Sequence, residues 1–551
     1  MFVGGLKIKL KFSIEGKKFE VETGNIKNFD LLYTAYGFSL SLDWWRVLKN
    51  QTMKDDLLAS FPGNDLIEVD FEIERQFKPK GDPIKLRGMV LERRFEERIF
   101  PTLSGDPVLQ RYYSITVTDY LSALWKQHYP YQLYVKSKMK DVLDDNKPSK
   151  PSALVLKTDK CAALNGGDKK VDSPLLFLAL GDRTESRASF YDFVMWYLRG
   201  QNAGLYFDGE NTYSFCDDKE KVTAIEFPEE EGVITYKLNE LPRYKIQIHN
   251  SDTSKDGSAK TLEVKNTEEV KGIEKDILYT TAIAKEATAF KEIKDDEIKF
   301  EKPYLEIQYE TYPTIDLVPG TLYKFSDGSK KTQHYGKEFR MRQLRILARA
   351  TSQLATSDTD SDTNSYQLHI TGLLESKDEP HHDYPLFVSP RWPVQVEGKI
   401  VSDEGKDEET SYQLETNKEK SIDEYIVEIP LFKDKNKKAL KIRVSAEPNH
   451  FSGHFYFPLY KGERVLLDMF FERASIARYL DWRAKLPLKT QGDQIFMGVS
   501  DKKDAENRTI MKHVYDNKKP VFSIDRINAK DTQTIEISEG QIFIHAKEEK
   551  K

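Results

Sequence analysis

The side chains that could do chemistry lie in a few polar clusters. Adjacent carboxylates occur at residues 295–297 and at Glu408 and Glu409. Two carboxyl groups can act together as a general acid and a general base, but carboxylates in surroundings this polar are typically solvated surface. We therefore interpret both clusters as exposed faces of the protein and not as acid/base pairs.

Two histidine pairs have a spacing that metal sites also use. His450 and His454 would share one face of a helix, but the proline and glycine around them indicate a loop, where this spacing has no particular meaning. His381 and His382, with acidic residues on both sides, are the better metal candidate, although such clusters are usually polar linkers. The chain contains no Gly-x-Ser-x-Gly elbow, Walker loop or His-Glu-x-x-His motif. We predict no catalytic residue, no cofactor and no metal ligand.

Composition narrows the class of partner and the compartment. The 551 residues include 84 Lys and Arg and 90 Asp and Glu, a net charge of -6 with no strongly basic region, which argues against nucleic acid as a partner. The only cysteines, Cys161 and Cys216, exclude a disulfide scaffold and a cysteine zinc site, and they favour reduced thiols in the cytoplasm.

The sequence predicts neither a signal peptide nor a membrane helix. Its first residues alternate at once into a polar and apolar pattern, and its longest apolar runs, such as residues 174–181, are well short of the ~18 residues that a membrane span needs. If the protein works outside the cell, a route other than general secretion must carry it there.

Alternation of apolar and polar side chains predicts strands through most of the chain. Leu6, Ile8, Leu10, Phe12 and Ile14 show the two-residue period of a half-buried strand. The same period occurs in segments separated by Gly, Asp, Asn and Ser clusters, at 67–73, 113–118, 244–248, 305–309, 366–370 and 441–444. Many short strands of this kind favour sandwiches or barrels over βαβ units.

Few helices are predicted. Ser189 and Asp192 have the form of a capping box before an aromatic run that ends at Gly200, and residues 139–143 and 283–293 are weaker candidates. We interpret the aromatic side chains of residues 190–197 as a helix packed on a barrel and not as a ligand-binding box.

Three polar stretches, at residues 251–260, 356–365 and 404–423, are predicted to be loops because they cannot bury enough apolar surface. The SPRWP segment at 389–393 interrupts any strand and is predicted to mark the main domain boundary. Five strands are predicted beyond it, at 395–401, 425–432, 441–446, 464–471 and 494–499. Five short strands with polar corners suit a small barrel such as an OB-fold.

The last strands form a ribbon with an apolar stripe. Ile535, Ile537, Ile542 and Ile544 alternate with polar residues around a tight Glu-Gly turn, with no companion helix. A single ribbon would expose this stripe and its strand edges, whereas identical copies wound together would bury both. The alternative is an ordinary hairpin folded back on the preceding barrel.

The order of these pieces resembles VgrG, the valine-glycine repeat spike protein of type VI secretion, and equally the hub and needle of contractile phage tails. The resemblance rests on four parts of the chain. The first is the helix and hairpin that contain FYDF and GLYFDG, at residues 190–209, and the second is LVPGTLY at 317–323. The third is a pair of strands that resemble a closing hairpin, at 344–350 and 366–370, and the fourth is the set of barrel strands at 396–401, 442–448 and 457–468.

The resemblance implies a mainly β fold: two hub β-barrel domains with a few helices, an OB-fold barrel and a short C-terminal intertwined β-helix segment. We place these domains at residues 1–120 (first hub barrel), 121–235 (helix-containing insert), 236–390 (second hub barrel), 391–505 (OB-fold) and 506–551 (needle). The first OB hairpin is longer than the family's, and the repeat-rich needle is reduced to one ribbon.

The resemblance also implies a structural, non-catalytic function. Three copies would form a hub and spike with Ile535, Ile537, Ile542 and Ile544 as the core of the needle. The implied partners are an Hcp-like inner-tube protein, a PAAR-like tip protein, baseplate proteins and effector cargo. Assembly in the cytoplasm would precede ejection by the machine. The other readings are a phage or extracellular-particle hub, a cell-wall or glycan-active hydrolase, and a glycan-binding adhesin.

Overall fold

The structure is a computed structural model. It describes residues 4–48, 54–76, 83–101, 108–151, 153–166, 175–181, 187–227, 232–238, 241–252, 260–281, 283–299, 302–314, 317–325, 331–351, 364–404, 412–418, 422–446, 459–480, 493–497, 508–528 and 531–547.

The first half of the chain opens with seven strands: β1 (Gly4–Ile14), β2 (Lys17–Val21), β3 (Ile26–Thr34), β4 (Gly37–Leu48), β5 (Ile67–Arg75), β6 (Ile84–Phe100) and β7 (Val108–Thr118). Helices and short strands follow: α1 (Tyr120–Trp125), β8 (Tyr131–Val135), α2 (Met139–Asp145), β9 (Val155–Lys160), α3 (Ala162–Asn165), β10 (Leu175–Ala179), α4 (Phe190–Gly200), β11 (Gly204–Phe207) and β12 (Thr212–Cys216).

The next segment contains β13 (Ile225–Glu226), β14 (Val233–Lys237), β15 (Lys245–Asn250), β16 (Lys260–Val264), β17 (Glu274–Tyr279), α5 (Ala284–Glu297), β18 (Tyr304–Tyr309), β19 (Leu322–Lys324), β20 (Glu338–Ala350) and β21 (Asn364–Ser376). The remaining strands are β22 (Val394–Val401), β23 (Leu414–Asn417), β24 (Ile422–Lys433), β25 (Ala439–Ser445), β26 (Arg464–Met469), β27 (Ala474–Tyr479), β28 (Asp493–Met497), β29 (Arg508–Asp516), β30 (Lys519–Ile527), β31 (Thr532–Ser538) and β32 (Gln541–Lys547). The mainly β fold is confirmed.

A closed antiparallel barrel forms the centre of the largest sheet. Its strands follow the order β20-β3-β4-β7-β6-β5-β1-β21, and β21 pairs back with β20. The alternating apolar residues of β1, from Leu6 to Ile14, are all buried inside it. Since closure pairs both edges of every strand, the barrel has no free edge.

The same two strands also build a second, open unit. β20 and β21 continue into a half-barrel of order β13-β19-β20-β21-β18-β14, which ends at β13 and at β14. Strands from the predicted second hub domain therefore complete the barrel of the first. The division of the chain at residues 120, 235, 390 and 505 stays a prediction.

The predicted helices are present. Ser189 accepts from the backbone N–H of Asp192 at 3.2 Å, and the Asp192 carboxylate accepts from the N–H of Ser189 at 2.9 Å, so the predicted capping box starts α4. Most of the α4 aromatics are buried in the main core, which confirms that they pack the helix onto neighbouring elements. The helices predicted at 139–143 and 283–293 are α2 and α5.

Beyond Pro393 a sheet forms in the order β23-β24-β22-β26-β27, with β25 paired to β24. Four of the five predicted strands are β22, β24, β25 and β26, but the fifth prediction is wrong in its placement. Residues 493–497 do form a strand, β28, but it pairs with β29 in another sheet, where Ile495 lies opposite Met511. Residues 414–417, predicted to be part of a loop, form β23. The OB-fold stays a prediction.

The other loop predictions at 251–260 and 356–365 fall mostly outside the described residues, as do His450 and His454 and the adjacent Glu408 and Glu409. Of the helices in the described segments, none has both the length and the apolar character needed to cross a membrane.

Candidate functional site

The candidate site is the C-terminal sheet, a five-stranded antiparallel meander of β28, β29, β30, β31 and β32 in chain order. Its tight turns follow from sequence. Asn517 and Lys518, between β29 and β30, both have positive φ, as type I′ hairpin turns require. Gly540, in the predicted Glu-Gly turn before β32, has a φ of 73°.

One apolar row crosses all five strands. The residues that lie opposite each other from β28 to β32 are Ile495, Met511, Ile524, Ile535 and Ile544. Residues directly opposite in an antiparallel pair project from the same face of the sheet. The register therefore builds a continuous apolar strip from side chains that are far apart in sequence.

A second row reinforces the first. His513, Phe522, Ile537 and Ile542 lie opposite one another on β29 to β32, two residues along from the first row and so on the same face. The four isoleucines predicted as the needle core are exposed: Ile535 by 45%, Ile537 by 46%, Ile542 by 69% and Ile544 by 81%. The structure brings all four together on one open face, which we call the isoleucine face.

The opposite face of this sheet is mixed in polarity and partly buried: it carries the buried Ile510 and the half-exposed Phe543 beside polar side chains. Asp525 and Ser523 on β30 are buried, and the Lys512 ammonium lies 2.7 Å from the Asp525 carboxylate. A water-soluble sheet normally buries its apolar face and exposes its polar one. At the centre of this sheet Ser523 and Asp525 are buried beside Ile510, while the isoleucine face is exposed. Whether the ribbon is an ordinary hairpin or part of an intertwined needle stays a prediction.

The last strand adds an open edge. Among the described residues β32 pairs with β31 alone, and all seven of its residues are exposed. An exposed apolar edge strand is a template for pairing with another chain. The site therefore offers two kinds of contact, apolar packing on its face and backbone hydrogen bonds at its edge.

Sequence reasoning found the four isoleucines of β31 and β32 but missed Ile495, Met511, Ile524 and Phe522 on the neighbouring strands. The signal for β30 was the partial alternation of residues 521–525, whereas β28 and β29 carry runs of adjacent apolar residues that do not show which side chains share a face. What the period does not give is the register that lines the rows up.

The better metal candidate is committed to structural hydrogen bonds. The Nδ1 atom of His382 accepts from the Tyr206 hydroxyl at 3.0 Å, and its Nε2 donates to the Asp217 carbonyl at 3.0 Å. Burial lowers the pKa of His382, which favours the neutral ring. His381 donates from Nε2 to the Lys299 carbonyl at 2.6 Å. Within the described segments, no three His, Cys, Asp or Glu side chains are grouped to hold a metal.

The carboxylate cluster of α5 and the two cysteines, which the structure does describe, are also in structural roles. The carboxylates of Asp295, Asp296 and Glu297 on α5 pair with nearby lysines. Cys161 and Cys216 are buried free thiols, and burial raises the pKa of each to about 12. Such thiols are not nucleophiles at neutral pH.

No protein-family model matches the chain, and neither does any curated protein. Solved structures do match it. A chain in the lidless PdpA–VgrG complex aligns with 99% of this chain and 99% of its own length, at 15% identity and a TM-score of 0.72. Chains in the half-lidded and lidded Francisella PdpA–VgrG complexes align with 98% and 99% of this chain, over 88% and 80% of their own length, at 16% and 15% identity and the same TM-score.

At these identities the likeness is one of fold. It extends over almost the whole chain, and it agrees with the VgrG-like spike predicted from the order of the sequence motifs.

Proposed function

We propose that the protein is a structural component of a contractile injection machine, in which three copies form a hub and spike. The sequence resemblance and the shared fold support this class of machine. The observation that carries the proposal is the isoleucine face, since two apolar rows lie exposed on a sheet whose other face already buries Ile510, Ser523 and Asp525.

Assembly of three copies would bury the isoleucine face. Three sheets arranged about one axis with their isoleucine faces inward form a dry interior, while each β32 edge pairs with the neighbouring copy. Burial of apolar area stabilises such an assembly by about 25 cal/mol per Å² before the costs of association. A rod built in this way is stiff enough to transmit the force of contraction.

The partners follow from the resemblance and belong to the proposal. An Hcp-like inner tube would stack on the hub, and a PAAR-like tip protein would follow the needle. Baseplate proteins and effector cargo complete the set. The matched structures are complexes of PdpA with VgrG, which supports a spike whose needle is continued by a second polypeptide.

We propose a mechanical and not a catalytic role, and assembly in the cytoplasm followed by ejection through the machine. The fold shared with a chain of a spike complex supports the mechanical role. Among the candidates that the structure describes, His381, His382 and the carboxylates of residues 295–297 are engaged in hydrogen bonds and ion pairs that hold the fold together.

The test is the molar mass in solution, measured by light scattering coupled to size exclusion. Wild-type protein is expected at three times the chain mass of 63.9 kDa, with an elongated shape in electron micrographs. Ile537→Asp and Ile544→Asp each place a charge on the isoleucine face and are expected to shift the mass toward the monomer.

The matched control is Leu278→Asp on β17, because Leu278 is exposed by 75% on a strand of a different sheet. It is expected to keep the trimer. A fully trimeric Ile537→Asp, or a wild-type protein that stays a compact monomer at all concentrations, would contradict the proposal.

A further inference from the structure

The turn between β24 and β25 carries a dense positive charge. All six of its residues, 433–438, are exposed, and four of them are lysines: Lys433, Lys435, Lys437 and Lys438. The ion pairs that described residues form on these two strands, Lys441 with Asp403 and Arg443 with Glu415, lie outside the turn. We call residues 433–438 the lysine turn.

The acidic residue of the lysine turn is used to build it. The Asp434 carboxylate accepts from the backbone N–H groups of Asn436 and Lys438, both at 2.8 Å. The Asp434 N–H donates to the Lys438 carbonyl at 2.8 Å, and Lys437 takes the left-handed conformation at a φ of 62°. The turn is therefore an ordered structure with a net charge of +3, four lysines less one aspartate.

An exposed leucine lies beside the turn. The register of β24 with β25 shifts between Ile429 and Lys433, so residues 430–432 bulge from the ladder. Within the bulge the Phe432 ring is buried, whereas Leu431 is 68% exposed. Side chains alternate along an extended strand, so Leu431 and Lys433 project to the same side. The bulge thus places an apolar side chain next to the lysines.

Lysines around an exposed apolar side chain match the chemistry of an anionic lipid surface. Clusters of roughly four to eight basic residues are attracted to anionic headgroups, and an apolar side chain beside them can enter the headgroup region. A bilayer also suits four separate ammonium groups because it offers phosphates across its whole plane.

Nucleic acid fits this surface less well. The aromatic ring nearest the lysine turn, Phe432, is buried and so cannot stack on a base. The six residues of the turn do not make the broad basic face that nucleic-acid-binding domains use. Since the whole chain has a net charge of -6, attraction to any anionic partner must come from a local patch such as this one.

We propose that the lysine turn, together with Leu431, binds the anionic surface of a lipid bilayer. The contact of one turn is weak and reversible, because a few lysines and one apolar side chain do not anchor a protein stably. This inference goes beyond the proposed function, since the surface belongs to one chain and does not depend on how many copies assemble. Several turns on one particle would strengthen the contact by acting together.

Sedimentation with lipid vesicles tests the contact. Wild-type protein is expected to sediment with vesicles of phosphatidylcholine that contain about a third phosphatidylglycerol, and not with vesicles of phosphatidylcholine alone. Raising the salt from about 50 mM to about 500 mM is expected to release it, because salt screens the attraction between exposed charges.

A triple variant assigns the binding to the turn. It carries Lys435→Gln, Lys437→Asn and Lys438→Gln, where asparagine is chosen because it tolerates the left-handed backbone of position 437. Since each lysine near an anionic surface strengthens binding about fivefold, the three changes are expected to weaken it at least tenfold. The matched control removes the same charge from exposed lysines elsewhere, through Lys17→Gln, Lys18→Gln and Lys265→Gln, and is expected to bind like wild type.

A polarity-sensitive dye tests the apolar part of the contact. The native cysteines are buried, so Leu431→Cys can be labelled selectively at the turn. Its emission is expected to brighten and shift to the blue when anionic vesicles are added. The same dye on Leu278→Cys, at a position of β17 that is 75% exposed, is expected to stay unchanged. Circular dichroism confirms that each variant is folded.

The outcomes are decisive for the lipid contact. Equal sedimentation with neutral and anionic vesicles, or equal binding by the triple variant and wild type, would overturn the inference. So would a control variant that loses binding as the triple variant does, because net charge alone would then explain the result. Binding to soluble polyglutamate or heparin as tight as to the vesicles, with no change in the dye at position 431, would assign the turn to acidic polymers instead of lipid. The molar mass of Ile537→Asp, which tests the trimeric spike, is independent of all these results.

Discussion

The closed barrel and the C-terminal sheet contain the same alternation of apolar and polar residues, but the apolar residues are buried in the barrel and exposed on the C-terminal sheet. On β1 the alternating residues from Leu6 to Ile14 are all buried, because the barrel wraps the apolar side of each strand around a shared interior. On β31 and β32 the isoleucines alternate in the same way, but the meander stays open and their side chains face outward.

The difference lies in what closes each sheet. The barrel is closed by β20 and β21, which come from more than two hundred residues further along the chain than β1 and pair with β3 and β1. The C-terminal sheet has no such strand among the described residues, and another copy is the closure that we propose. Alternation thus predicts a strand with one apolar side, while long-range pairing decides whether that side is buried within the chain.

Truncating a buried side chain of the barrel should destabilise the protein far more than truncating one on the isoleucine face. Phe71→Ala removes a fully buried ring from the barrel and is expected to lower the free energy of unfolding by about 3–5 kcal/mol. Ile544→Ala, on the open sheet, is expected to change it by less than about 0.5 kcal/mol in dilute, monomeric protein. Denaturant unfolding of both variants measures the difference, and equal losses would show that the isoleucine face is covered within its own chain.

The sequence predicts the local structure of this chain but not its long-range contacts. The capping box of Ser189 and Asp192 is set by four neighbouring residues, so its helix could be predicted. The two-residue period located most strands for the same reason. The closure of the barrel by β20 and the rows of the C-terminal sheet depend on register between distant segments. The hydrogen bonds of His382 depend on Tyr206 and Asp217, which are also far from it in sequence. None of these contacts follows from a local pattern.

A middle-sized effect is expected where the main core meets the sheet beyond Pro393. The ring of Phe471, between β26 and β27, contacts Phe193, Trp196 and Trp392, and its carbonyl accepts from the Phe177 N–H at 2.8 Å. Phe471→Ala is expected to cost about 2 kcal/mol, since most of this ring is packed against other aromatics.

The neighbouring Phe470 supplies the control, because its ring lies against the exposed Arg473. Phe470→Ala is expected to change the free energy of unfolding by less than about 1 kcal/mol. If the two alanine variants unfold at the same denaturant concentration, the aromatic cluster does not join the two regions, and this junction would resemble the open sheet more than the closed barrel.

The smallest expected effect is a pH dependence confined to the closed region. Burial lowers the pKa of His382 below the ordinary 6.5, so in mildly acidic solution the unfolded chain binds a proton that the folded chain excludes. Its contribution to stability is therefore fully present above about pH 6.5 and falls as the pH drops below that value. His382→Gln should flatten the fall in melting temperature between pH 7.5 and pH 5, whereas His369→Gln, at an exposed position of β21, should leave it unchanged.

Since His382 does not lie on the isoleucine face, the molar mass of the assembly should not follow the same pH curve. A molar mass that falls together with the melting temperature would show that association of the copies depends on the closed region as well as on the isoleucine face.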